Sequence, residues 1–153
     1  MIINGKAYWA KIVGKPVDGY KNQYKEWSFD LAIDKDTASM LKKQGLGKYL
    51  KNNDDDRGTY IHLRRKAKKK DGTDSKPIKI VDHRGNDWDN RLIGNGSELN
   101  VNVGINEFDG NLTLSPVSVQ VWNLVPYIPK GQFPTREDDE VTVPEDSAET
   151  KEW

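Results

Sequence analysis

Apolar side chains recur at every second position along several stretches of this chain, and that period constrains the fold more than any other feature. In Trp27-Ser-Phe-Asp-Leu-Ala-Ile33 they fall at Trp27, Phe29, Leu31 and Ile33, with Ser28, Asp30 and Asp34 opposite, as in a strand buried on one face. Residues 98–105 repeat the pattern through Leu99, Val101, Val103 and Ile105. Residues 60–66 repeat it through Ile61 and Leu63, leaving Tyr60, His62 and Arg64 on the other face. Residues 6–13, closed by Gly14-Lys-Pro16, and residues 117–125 read as further strands. One helix is predicted over 37–44, capped by Asp34 or Asp36, with Ala38, Met40 and Leu41 as its apolar side and Gly45 and Gly47 ending it. Residues 64–70 lead through Asp71-Gly72 into 76–81, which reads as a hairpin with a long basic tip. Asp109-Gly-Asn111 marks a turn, and residues 112–114 begin or extend the last strand. Five or six strands, turns and one short helix fit a small antiparallel barrel.

Charge divides the chain where periodicity stops. The formal net charge is zero, yet residues 1–135 carry 22 Lys and Arg against 16 Asp and Glu, while residues 136–153 carry 2 against 8. A body at +6 favours polyanionic partners, and a tail at −6 resembles one. The expected organisation is therefore one folded domain, 1–135, followed by a disordered acidic tail, 136–153, too poor in apolar residues to offset its ordering entropy. Glu137, Asp138, Asp139, Glu140, Glu145, Asp146, Glu149 and Glu152 supply its charge. Trp153 is an unusual last residue for a purely solubilising segment and reads as an aromatic anchor for a pocket on a partner.

The basic run Arg64-Arg-Lys-Ala-Lys-Lys-Lys70 places six cations in seven residues, either a solvated loop tip or a contact for a nucleic-acid backbone. Aromatic residues favour the second reading. Tyr8, Trp9, Tyr20, Tyr24, Trp27, Tyr60 and Trp88 are interleaved with Lys6, Lys11, Lys21, Lys25, Arg64 and Arg84, a mixture that stacks bases while holding phosphates. Trp27 and Phe29 belong to the core by their period, and Trp88, in the polar loop 83–91, reads as a surface ring. The candidate interface comprises Lys6, Lys11, Arg64, Arg65, Lys66, Lys68, Lys69, Lys70 and Arg84 for phosphates. Tyr60, Trp88 and Trp9 are its stacking rings, with His62 on the same strand face as Tyr60.

Catalytic and metal chemistry find little support. There is no cysteine, which removes thiolate nucleophiles, Cys-ligated zinc and disulfide scaffolds. His62 and His83 have no partner at ligand spacing. Aligning Gly58 of the Asp54-Asp-Asp56 turn with the glycine of a calcium loop puts Arg64 where a bidentate Glu is required. Ile93-Gly-Asn-Gly-Ser97 lacks the third glycine of a dinucleotide fingerprint and reads as a tight turn. The expectation is a non-enzymatic chain without cofactor or metal. It has no apolar run long enough for a membrane span and no secretory leader, so a cytoplasmic location is expected.

Ala7-Tyr-Trp-Ala-Lys11, Trp27-Ser-Phe-Asp-Leu31, Ile93-Gly-Asn-Gly-Ser97 ahead of a strand, Val119-Gln-Val121 with Leu124-Val-Pro-Tyr127, and an acidic tail ending in an aromatic follow one another in this order. In this the chain resembles the single-stranded DNA-binding, helix-destabilising proteins of short-tailed lytic bacteriophages. The resemblance implies an OB-fold, roles in phage DNA replication and recombination inside the infected bacterial cell, and often a homodimer. It also implies a tail that contacts the phage DNA polymerase and helicase-primase. Tails of that family commonly end in Phe, where this one has Trp153. Two other readings use the same residues: an RNA-binding OB module, and a protein-interaction or structural module without nucleic acid.

Overall fold

A computed structural model describes residues 1–19 and 23–127. Its strands are β1 (Ile2–Lys11), β2 (Val17–Asp18), β3 (Lys25–Ala32), β4 (Lys51–Asn52), β5 (Thr59–Lys66), β6 (Lys79–Val81), β7 (Ser97–Phe108) and β8 (Asn111–Asn123), with one α-helix among the described residues, α1 (Lys35–Lys43). They form one sheet in the order β4-β5-β3-β1-β7-β8-β6, with β2 paired to β3. The mainly β, OB-like expectation holds, with more strands than foreseen and a mixed sheet. β6 lies parallel to β8 while the other ladders are antiparallel. Among the described residues no ladder closes the sheet, although it curls until Arg65 Nη1 on β5 donates to Pro116 O on β8 at 3.4 Å.

The alternating pattern selects the inner face. Ile3 and Ala7 of β1, Trp27, Phe29 and Leu31 of β3, Ile61 and Leu63 of β5, Leu99, Val101 and Val103 of β7, and Val119 and Val121 of β8 are all buried against one another. Each large side chain among them contributes roughly 1.5–3 kcal/mol of apolar burial. Trp27 also satisfies its indole N–H, which donates to Gly14 O at 3.0 Å.

The helix is capped by Asp34, whose carboxylate accepts from Thr37 N at 2.8 Å. Its other end is a Schellman closure: Leu46 N donates to Leu41 O, Gly45 N donates to Lys42 O, and Gly45 takes φ +82°. That closure folds Leu41 and Leu46 together into the core, both fully buried. The following turn docks on the β7–β8 hairpin, where Tyr49 Oη donates to Leu112 O at 3.1 Å.

Two sequence readings change. Residues 64–70 and 76–81 are not the two sides of a hairpin. β5 ends at Lys66, the Lys68–Asp74 bridge closes a small loop, and the chain crosses to pair β6 with β8. Strand β3 is not half-buried either: Glu26, Ser28 and Asp30, on the face opposite the core, are 7%, 8% and 8% exposed. Side chains from neighbouring elements cover them.

Candidate nucleic-acid interface

Strand register builds the outer face of the sheet row by row. Lys6 on β1, Ala32 on β3, Tyr60 on β5 and Lys51 on β4 stand side by side; the next row is Tyr8, Asp30 and His62; then come Ser28 with Arg64, and Glu26 with Lys66. Because the period is two, this face collects the polar half of each strand opposite the apolar core.

Arg57 covers its centre. The guanidinium carbon lies 3.8 Å from the Tyr60 ring centroid and 4.5 Å from that of Trp9, so the cation is sandwiched between two aromatic rings. Its Nη1 donates to Asp30 Oδ2 at 2.7 Å, and its Nε donates to Asp55 Oδ1 at 2.9 Å, leaving the side chain 9% exposed. Asp30 also pairs with His62 Nδ1 at 2.7 Å. Burial pushes the Asp30 carboxyl up, but the His62 ring and the Arg57 guanidinium outweigh it and hold the carboxyl below the usual carboxylate range. Arg57 is held well above its ordinary value, first by its hydrogen bonds to Asp55, and is permanently charged. Farther along the face Arg64 Nη1 donates to Tyr24 Oη at 2.6 Å, and Lys66 Nζ lies 4.7 Å from the Tyr24 ring.

Trp9 marks the edge of this face. A register shift between Tyr8 and Lys11 interrupts the β1–β3 ladder, and Trp9 takes φ +50°, uncommon for a bulky residue. Its backbone N–H donates to Asn95 Oδ1 at 2.7 Å, which fixes the distortion. The segment Ile93-Gly-Asn-Gly-Ser97 is the tight turn its sequence indicated, and it serves as a clamp. Gly96 N donates to Ala7 O, Gly94 N donates to Val125 O, and Ser97 Oγ accepts from Val125 N at 2.8 Å. A Cβ on Gly94 would lie 2.6 Å from the carbonyl oxygens of Val125 and Pro126, so only glycine lets these backbones meet. Between the clamp and β1 an open cleft of about 690 Å³ is lined by Trp9, Lys11, Lys15, Leu92 and Tyr127, among others. Trp9 is 52% and Tyr127 51% exposed. Flat rings beside lysines can stack bases and hold phosphates at once.

Neither a family model nor a curated protein sequence matches the chain. Solved structures do. Gp2.5, a single-stranded DNA-binding protein encoded by bacteriophage T7, superposes with a TM-score of 0.57 at 17% identity over 88% of this chain and 97% of that one. The single-stranded DNA-binding protein of bacteriophage Enc34 gives 0.53 at 12% identity, over 86% of this chain and 84% of its own. The Enc34 protein in complex with single-stranded DNA gives 0.54 at 14% identity, over 83% and 87%. This chain has the fold of the phage single-stranded DNA-binding proteins. At such identities the likeness is one of architecture, and residue roles rest on the geometry of this chain.

That geometry brings together Lys6, Trp9, His62, Arg64 and Lys66 on or beside the outer face, with Lys11 in the adjoining cleft. Tyr60 is on the face but 5% exposed beneath Arg57, with its hydroxyl accepting from Asn53 Nδ2 at 2.8 Å, so its ring is not an open stacking platform. Arg65 pairs with Trp27, opposite the face that carries Arg64, and reaches Pro116. Lys68, Lys69 and Lys70 lie in the loop beyond β5; Lys68 pairs with Asp74 at 3.1 Å, and Lys70 Nζ lies 5.3 Å from the Phe108 ring. Arg84 and Trp88 belong to the loop after β6, at the opposite end of the strand order. Trp88 is not the surface ring expected: it packs half-buried against the core under Arg91, and its indole N–H donates to Arg91 O at 3.0 Å. Tyr20 and Lys21 lie outside the described residues, as do the 135/136 domain boundary and the tail residues Glu137, Asp138, Asp139, Glu140, Glu145, Asp146, Glu149, Glu152 and Trp153.

Sequence reasoning missed Arg57, Lys15, Lys51 and Tyr127. Arg57 sits in the acidic turn weighed above only as a calcium loop, and its partner Asp30 is 27 residues away. Among the described residues no group of three or more His, Asp or Glu is placed to hold a metal ion. No helix among them is long and apolar enough to cross a membrane.

Proposed function

We propose that this protein binds single-stranded DNA without sequence preference. The half-exposed Trp9 carries the reading, held by its backbone beside Lys11, Lys15 and Tyr127 on a fold shared with phage proteins that bind single strands. Stacking on Trp9 and Tyr127 uses base faces common to all four bases, and lysines contact phosphates, so neither reads base edges. A protein that binds the open strand shifts duplex melting by mass action and needs no nucleotide hydrolysis. It would thus coat and protect strands exposed during phage replication and recombination in the host cytoplasm. The acidic tail, its charge opposite to that of the body, would recruit polymerase and helicase-primase. A homodimer is part of this proposal through the family resemblance alone.

The test is fluorescence anisotropy of the full-length protein on labelled oligo-dT, oligo-rU and duplex DNA of equal length, each titrated with salt. Preference for oligo-dT over duplex, with log K falling as salt rises by about 0.7 per phosphate contact, is expected. Preference for oligo-rU would move the assignment to RNA. Absence of binding to any of them at low salt would leave a protein-binding module.

A further inference from the structure

A second groove lies at the β4 edge of the sheet, between that strand and α1, with a volume of about 430 Å³. One wall is helical: Lys35 and Lys42 are seven residues apart and therefore on one side of α1, separated by Ala38 and Ser39, whose small side chains leave the space between them open. Lys51 on β4 contributes to the opposite wall, and Ile33 and Leu50 supply apolar surface. No carboxylate is among the lining residues. Three cations over an apolar floor, without a neutralising acid, suit a chain of phosphates carrying flat apolar groups.

The groove is continuous with the sheet face. Lys51 pairs with Tyr60, Tyr60 with Ala32, and Ala32 with Lys6, so one row of residues runs from β1 across β3 and β5 to the groove. The geometry points to a path in which single-stranded DNA leaves the Trp9 side, crosses this row and enters the α1–β4 groove, where Lys35, Lys42 and Lys51 neutralise its phosphates. The inference rests on the reading that the sheet face binds single-stranded DNA, and assigns to α1 a second segment of that site.

The experiment compares full-length protein with the double variant Lys35→Gln/Lys42→Gln and with a control, Lys43→Gln/Lys48→Gln. The control removes the same charge from exposed lysines outside the groove. Binding to oligo-dT of about 6 and about 16 nucleotides, within the span one OB-fold occupies, is measured against salt. The groove variant should lower the salt slope on the longer oligonucleotide by about 1.4, some tenfold or more in affinity near 0.1 M salt. The control should leave that slope in place, and on the short oligonucleotide both variants should match the parent. An unchanged slope on the long oligonucleotide, or equal losses in groove variant and control, would overturn the groove while leaving the sheet face intact. Failure of the parent protein to bind either length would overturn the DNA reading itself.

Discussion

Asp30 shows how one residue can serve both the fold and the site. It is a carboxylate on the solvent-side face of a central strand, 8% exposed, and it is tolerated there because Arg57 and His62 both bond it. Asp30→Asn keeps the shape and removes the charge, so it is expected to cost about 1.5–3 kcal/mol, read as a lower urea midpoint with an unchanged slope. Because its folded carboxyl is held low, the stabilisation it supplies is complete above the unfolded value of about 4 and is lost as pH falls through the folded value. The parent's urea midpoint should therefore drop more between pH 5 and pH 3 than that of Asp30→Asn. Several other carboxylates are also held low, Asp55 and Glu98 among them, so the difference between the two proteins isolates Asp30. Trp9 is the complementary case, an exposed ring with little to hold in the core. Trp9→Ala should weaken oligo-dT binding by about 1–3 kcal/mol, roughly 5- to 150-fold in Kd, measured by anisotropy. Trp9→Phe should recover part of that loss.

At the scale of elements, the helix and the β7–β8 hairpin were legible because their signals are local. Asp34 and Gly45 bracket α1 as capping chemistry requires, and Asp109-Gly110, both at positive φ, make the two-residue turn that joins β7 to β8. Gly45→Ala puts a Cβ at φ +82° and 3.3 Å from Leu112 Cδ1. It should lower stability by about 1 kcal/mol by urea titration and leave oligo-dT affinity within twofold. The basic stretch 64–70 was misread as one side of a hairpin with 76–81 because charge density and a nearby Asp-Gly carry no information about which strand is paired next. β6 finds β8, almost forty residues on, and the six cations separate into a strand face, an edge contact and a loop. The double burial of β3 was likewise hidden, since Arg57, Arg64 and His62, from outside the strand, reach its outer carboxylates Asp30 and Glu26.

For the whole molecule, the division into a basic body and an acidic end makes a salt-dependent prediction. Removing residues 136–153 takes away a net charge of −6, which on the proposed reading would compete with DNA for the same cations. The truncated protein should bind oligo-dT more tightly at low salt, and the gap should narrow as ionic strength rises and the Debye length falls below about 10 Å. Equal affinities at every salt concentration would show that the tail does not compete. Short-range physics is written along the chain: the alternation that sorts core from surface, the helix and its caps, the tight turn at 93–97 and the charge asymmetry. Long-range packing alone settled which polar residues share a surface. It placed Tyr60 beneath Arg57, turned Arg65 away from Arg64, drew Trp88 toward the core, and set Trp9, Lys11, Lys15 and Tyr127 around one cleft. Those outcomes depend on strand order and on bonds between residues tens of positions apart, where loop closure and packing act and no local period records the result.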